Sequence, residues 1–175
     1  MTETAHRPGW EIDDPAEVIL GLLDFYRDVV AAKLDGLSEE ELRGSRLPSG
    51  WSPIELLKHL VYMEQRWLVW GFTAEQIAAP WGDQGPDERW HAGPDDTVAD
   101  LVERLRAGGR RTREIVAEAA LTDRGAIGGR FTGERDPASP ALSWILLHVL
   151  QEYARHAGHL DIVRELADGR TGEDG

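Results

Sequence analysis

The sequence contains no cysteine, which excludes disulfide bonds and thiolate metal ligands. It also has no run approaching the ~18 uninterrupted apolar residues of a spanning helix, and its mean hydropathy is -0.41. The first residues lack the basic segment and following apolar segment of a signal peptide. These absences predict a cytoplasmic protein without a membrane partner.

Basic residues are also scarce. Lys and Arg number 19 against 32 Asp and Glu, so the formal net charge is -13. This balance opposes binding to a phosphate backbone, which depends on clustered cations, and we expect no nucleic-acid partner. With 175 residues and 41% hydrophobic content, the chain fits one domain over residues 1–175. Residues 1–13 are expected to form a loosely packed tail, and residues 169–175 a second tail.

Apolar residues recur at spacings of three and four in four long segments, which is the pattern of amphipathic helices. A polar cap residue opens each segment, and Pro follows it in three of them. The predicted helices run from Asp14–Pro15 to about residue 35, from Ser52–Pro53 to about Gly71, from Thr97 to Ala120, and from Ser139–Pro140 to Asp168, with a short turn at residues 38–42. No segment has the period of a β-strand. The fold class is therefore all-α, a four-helix bundle with long connecting loops.

The connection over residues 73–96 is long for a compact domain, and connections of this length often cover a site. It holds Trp81 and Trp90, which together with Trp51 are candidates to line a pocket. His6 and His91 are expected to be solvated. In the third helix, Gly108 and the following glycine are expected to bend or weaken the middle.

The last helix carries His148, Glu152 and His156 at i, i+4 and i+8. With His159, these side chains fall within an arc of roughly 80° at about 100° per residue. Apolar residues flank the arc, so the stripe is predicted to face the core. Buried ionisable groups are costly unless they are paired or bound to a metal.

His59 is the only histidine of the second helix and lies on its apolar side. Together with Glu152 and His156 it would offer two nitrogens and one oxygen. Three protein ligands leave an open position, as in catalytic zinc sites, although Fe(II), Ni(II) and Mn(II) also suit this donor set. Spacing alone leaves alternatives open: His59 as a hydrogen-bonded core residue, Glu152 and His156 as a surface pair, and His148 as a further ligand or a pocket residue.

Two segments together resemble a known family. They are Trp144-x-x-x-His148-x-x-x-Glu152-Tyr153-Ala154-Arg155-His156-Ala157-Gly158-His159 and Trp51-Ser52-Pro53 followed six residues later by His59. Nearly the whole chain is similar to the DinB-like superfamily, more narrowly to its DUF664 branch. Many members carry three histidines. Glu152 stands where the first helix-four histidine would be, which matches the His/Glu/His pattern of the mycothiol-dependent maleylpyruvate isomerase group.

The resemblance implies a bundle with a divalent metal, most often zinc, with nickel or iron as alternatives, held by His59, Glu152 and His156. It also implies a low-molecular-weight thiol such as mycothiol, whose metal-bound thiolate attacks a small electrophile. Under this interpretation His159 and Arg155 orient the thiol or the substrate, while Trp51 and His148 contact the thiol co-substrate. The absence of cysteine is then understandable, because the nucleophile comes from a co-substrate.

Two other functions stay open on sequence. A metal-bound water would make the protein a hydrolase, and metal binding without turnover would make it a stress or binding protein. The sequence also leaves a monomer and a homodimer equally open.

Overall fold

The computed structural model describes residues 6–133 and 138–171. Their helices are α1 (Pro15–Leu34), α2 (Glu39–Arg43), α3 (Pro53–Glu64), a π-helical segment (Gln65–Phe72), α4 (Val98–Ala117) and α5 (Leu142–Asp168). The described residues contain isolated β-bridges but no strand. The predicted all-α bundle is confirmed. Among the same residues, no helix combines the length and apolar character needed to cross a bilayer.

Helix α5 packs most extensively against α1, and α3 packs against α4 and α5. Leu, Ile and Val side chains from the long helices form one buried core. Burial of such side chains is the main favourable term in folding, at about 25 cal/mol per Å² of apolar surface. The core holds α3 and α5 side by side, and the candidate site lies between these two helices.

Local capping explains several helix starts. The Asp14 carboxylate accepts a hydrogen bond from the Ala16 N–H, at 2.9 Å. Thr97 accepts from the Asp100 N–H at 3.1 Å, and Glu55 accepts from the Ser52 N–H at 2.8 Å. These bonds satisfy N–H groups that a helix cannot pair internally. At the other end, Gly169 adopts φ 79 and ends α5 where the sequence predicted.

The predicted start of α5 at Ser139 is wrong. The helix begins at Leu142, and the Ser139 hydroxyl donates to the Gly125 carbonyl at 2.5 Å instead of capping. The Gly125 N–H donates to the Pro140 carbonyl, and the Leu142 N–H donates to the Asp123 carbonyl. Pairing with the preceding loop therefore outcompetes the local cap preference.

The second predicted helix reaches about the expected end, but its last two turns are π-helical (Gln65–Phe72). The apolar spacing of this segment did not predict the π-helical turns. In α4, the helix continues through Gly108 and Gly109, and the second glycine lies against Arg27: a Cβ there would stand 3.0 Å from the guanidinium. At the start of the chain, Trp10 is fully exposed, while residues 1–5 and 172–175 of the two predicted tails lie outside the described part.

Candidate metal and thiol site

Three predicted ligands come together between α3 and α5. One donor atom from each of His59, Glu152 and His156 lies within 4.8 Å of the other two. The Nε2 atom of His156 is 3.3 Å from Oε2 of Glu152, and Nε2 of His59 is 3.8 Å from the same oxygen. Glu152 and His156 share a face because they are one turn apart, and packing against α3 adds His59.

The Nε2 atom of His59 is buried and has no hydrogen-bond partner among the described residues. Buried polar atoms are nearly always paired, so an orphan of this kind needs an explanation. Its other ring nitrogen, Nδ1, is 3.1 Å from Oδ2 of Asp83. The imidazole is therefore fixed on one side, and its Nε2 faces Glu152 and His156.

Asp83, which was not among the residues predicted from sequence, is fully buried. Its carboxylate accepts two hydrogen bonds from Arg66, at 2.5 and 3.0 Å. Burial opposes ionisation of Asp83, but the hydrogen bonds from His59 and Arg66 outweigh it and lower the pKa of the carboxyl group. An ionised carboxylate can only accept, so the proton of His59 stays on Nδ1 and the lone pair on Nε2.

Arg66 is itself held in place by the long connection. It donates to the Pro80 carbonyl at 2.9 Å, and its guanidinium lies 4.5 Å from the ring centroid of Trp81. Trp81, a candidate from sequence to line a pocket, packs against this cation. The π-helical segment carries Arg66, and such segments are frequent at functional sites because they shift the register of the side chains.

Trp90 covers the site from the long connection. Its ring stacks on His59 with centroids 4.2 Å apart and an angle of 23°, and its centroid is 5.3 Å from that of His156. The neighbouring His91 is exposed, as predicted, while its backbone N–H donates to the Asp83 carbonyl. The connection over residues 73–96 thus supplies both a supporting carboxylate and an aromatic wall.

The electrostatics favour the metal-binding forms of Glu152 and His156. The contact with His59 is the largest cause that lowers the pKa of Glu152 to about 2, against the opposing effect of burial. Burial is the largest cause that lowers the pKa of His156 to about 4. At neutral pH, Glu152 is an anion and His156 is neutral, and these are the forms that coordinate metals.

His159 and Trp51 continue the site toward the C-terminal half of α5. The Nδ1 atoms of His159 and His156 are 3.1 Å apart, and the ring centroid of Trp51 is 5.8 Å from that of His159. Burial and the charge of Arg155 lower the pKa of His159. Arg155 is exposed beside it. Trp51, His159 and Arg155 thus lie next to the group of His59, Glu152 and His156.

His148 lies on the opposite side of the three ligands, one turn before Glu152. Its ring is parallel to Trp144, with centroids 5.3 Å apart and an angle of 6°, and it meets Trp67 edge-on at 4.5 Å. Burial lowers its pKa. His148 is not part of the group of three donor atoms that lie within 4.8 Å of one another.

A second buried polar centre, also missed from sequence, lies deeper in the core. Glu64 accepts hydrogen bonds from Tyr153 at 2.6 Å and Thr112 at 2.5 Å, and forms an ion pair with Arg27. The four side chains come from α1, α3, α4 and α5. Tyr153 directly follows Glu152, so this network ties the ligand-bearing turn of α5 to the other three long helices.

Comparison with known proteins gives one clear result. The family model described as MST, mycothiol-S-transferase, matches residues 18–169. No curated protein matches the sequence. The matched range includes all five helices except the first turn of α1, and it contains the whole candidate site. The chain belongs to the mycothiol-S-transferase family and is an enzyme of the transferase class.

Proposed function

We propose that this enzyme conjugates a mycothiol-like thiol to a small electrophile, and that His59, Glu152 and His156 hold a divalent cation, zinc in the first instance. The observation that carries the proposal is the buried, unpartnered Nε2 of His59 facing two further donor atoms within 4.8 Å. Two nitrogens and one carboxylate oxygen are ligands that zinc accepts, and three protein ligands leave a position for the thiol.

When bound, the cation would supply the Lewis acidity that lowers the pKa of a coordinated thiol and keeps it as thiolate at neutral pH. The protein supplies the rest. Asp83 keeps the proton of His59 on Nδ1, and Arg66 keeps Asp83 ionised and fixed. Such partners orient metal-binding imidazoles and raise their basicity.

The His156–His159 pair has a proton arrangement that follows from the proposed ligand set. If His156 offers Nε2, its proton is on Nδ1 and is donated to Nδ1 of His159, 3.1 Å away. The proton of His159 is then on Nε2, which makes that atom a hydrogen-bond donor. His159 and the exposed guanidinium of Arg155 can thus orient oxygen atoms of the thiol or the electrophile, while the proton that the thiol gives up on binding passes to solvent water.

Aromatic side chains flank the proposed site and limit the access of water to a thiolate held there. Trp90 covers His59 and His156, Trp51 contacts His159, and His148 is packed between two tryptophans. A dry site strengthens the interaction between charged groups and prevents hydrolysis of a reactive electrophile.

The test is metal content measured by elemental mass spectrometry on protein without a histidine tag. Wild type should retain about one equivalent of metal per chain, and His59→Ala should lose most of it. His91→Ala is the matched control, because His91 is exposed in the same region and lies outside the group. Unchanged metal content in His59→Ala would show that the ligand assignment is wrong.

A further inference from the structure

A cavity of about 350 Å³ lies beside the candidate site, between α2 with its following loop and the C-terminal end of α5. This volume falls within the roughly 300–1,000 Å³ of small-molecule sites. The lining combines polar and apolar side chains, among them Glu40, Ser45, Arg46, Trp51, Pro53 and Val163. Such a mixture suits a ligand that carries both hydroxyl and C–H groups.

Trp51 connects this cavity to the proposed metal ligands. It lines the cavity, and its ring also contacts His159 at 5.8 Å between centroids. His159 is hydrogen-bonded to His156. Only the rings of Trp51 and His159 therefore separate the cavity from His156. One extended molecule could reach from the cavity to His156.

The cavity walls are held by bonds that do not need a ligand. Arg46 donates to the Leu166 carbonyl at 3.0 Å and so ties the loop after α2 to α5. At the start of α2, the carboxylate of Glu41 accepts from the Ser38 N–H at 2.9 Å. A preformed cavity loses less conformational entropy when it binds.

The charge of the lining selects against anions. Glu40 and Glu41 contribute two carboxylates, while Arg46 is the single cation among the lining residues. A phosphate or carboxylate would meet net negative charge here, which disfavours anionic thiols such as glutathione or coenzyme A. Hydroxyl groups can instead donate to the carboxylates, and a sugar ring can lie against Trp51.

We propose that this cavity binds the neutral, polyhydroxylated head of the thiol co-substrate while its sulfur lies at the His59, Glu152 and His156 centre. The proposal rests on the proposed function above. In mycothiol, a cysteinyl amide arm separates the sulfur from the sugar, which matches a cavity set apart from the ligands by Trp51 and His159.

The test fills the cavity from either wall. Ala167→Phe adds a ring from the last turn of α5, and Ser45→Trp adds one from the exposed loop, where folding is not at risk. Both should raise KM for mycothiol at least tenfold and leave metal content and KM for the electrophile unchanged. The matched control is Ala107→Phe, on the exposed face of α4.

Direct binding separates this proposal from the proposed function. The probe is neutral N-acetylglucosaminyl-inositol, which keeps the uncharged sugar and inositol of mycothiol without its cysteine and is titrated calorimetrically into metal-free protein. Saturable binding to wild type that is lost in Ala167→Phe and Ser45→Trp supports the cavity, whether or not turnover is seen. No binding to wild type, or equal binding to both variants, overturns it. A wild type that binds the head but transfers no thiol contradicts only the proposed function.

Discussion

Replacement of Asp83 by Asn removes the charge that fixes His59. The carboxylate is fully buried, accepts two hydrogen bonds from Arg66 and one from His59, and is ionised because these bonds lower its pKa. An amide has a similar shape, but it carries N–H donors as well as an acceptor. When its NH₂ group faces His59, Nδ1 must accept, and the proton moves to Nε2, the atom needed for the metal.

The substitution should change both the zinc affinity and the stability of the fold. Loss of a supporting partner of a metal-binding histidine typically weakens binding 10- to 100-fold, or about 1.4–2.7 kcal/mol, and we expect the zinc Kd to rise by this factor. The substitution also leaves the guanidinium of Arg66 buried without its counter-ion, and its side chain is only 4% exposed. Breaking a buried pair costs about 3–5 kcal/mol of folding free energy.

The two effects are measured separately. Competition with a chromophoric chelator gives the zinc Kd, and urea unfolding of metal-free protein gives the stability. Long-range ¹⁵N NMR of metal-free protein shows which nitrogen of His59 carries the proton. Asp95→Asn is the control, because Asp95 is an exposed residue of the same connection.

Folded Asp83→Asn could instead keep a zinc Kd within twofold of wild type and the proton of His59 on Nδ1. This result would show that Asp83 neither fixes the tautomer of His59 nor supports zinc binding. The wild-type spectrum provides a check that does not depend on the variant folding. A proton on Nε2 of His59 in the metal-free wild type would show that Asp83 does not set the tautomer.

Three further predictions concern the core, pH and the co-substrate. Glu64→Gln should lower the free energy of unfolding, measured in urea, by about 3–5 kcal/mol, because Arg27 then stays buried without a carboxylate. The exposed control Glu103→Gln should change the free energy of unfolding by less than about 1 kcal/mol. Equal effects of the two substitutions would contradict the importance assigned to the buried ion pair. In metal-free protein, the pKa of His156 is lowered to about 4, so the unfolded chain takes up this proton first as the pH falls. Stability should therefore decline by up to about 3 kcal/mol between pH 6.5 and 4 relative to His156→Gln, and parallel profiles would rule this out. Turnover of the electrophile should require mycothiol, and equal rates without thiol would indicate hydrolysis by metal-bound water instead.

Much of the fold follows from local sequence. The caps at Asp14 and Thr97, the stop at Gly169 and the apolar spacing of the long helices depend on neighbours within a few residues. The same holds for Glu152 and His156, since a spacing of four residues places both side chains on one face in any α-helix. The start of α5 is the exception, because the Ser139 hydroxyl donates a hydrogen bond to Gly125 in the preceding loop instead of capping the helix.

The residues that support His59 could not be predicted from the local sequence. Asp83 is 24 residues from His59 and 17 from Arg66, and nothing in its immediate sequence distinguishes it from the other acidic residues of its connection. The roles assigned to the site residues from sequence remain predictions, as does the single-domain assignment.

By itself, the sequence determined an all-α bundle and a candidate ligand set, because both depend on helical periodicity. Packing brought His59 to Glu152 and His156, left its Nε2 without a hydrogen-bond partner among the described residues, and surrounded Glu64 with donors from three other helices. The physical reason is that buried polar groups must find partners, and in a folded chain those partners come from wherever packing brings a matching donor or acceptor within about 3 Å.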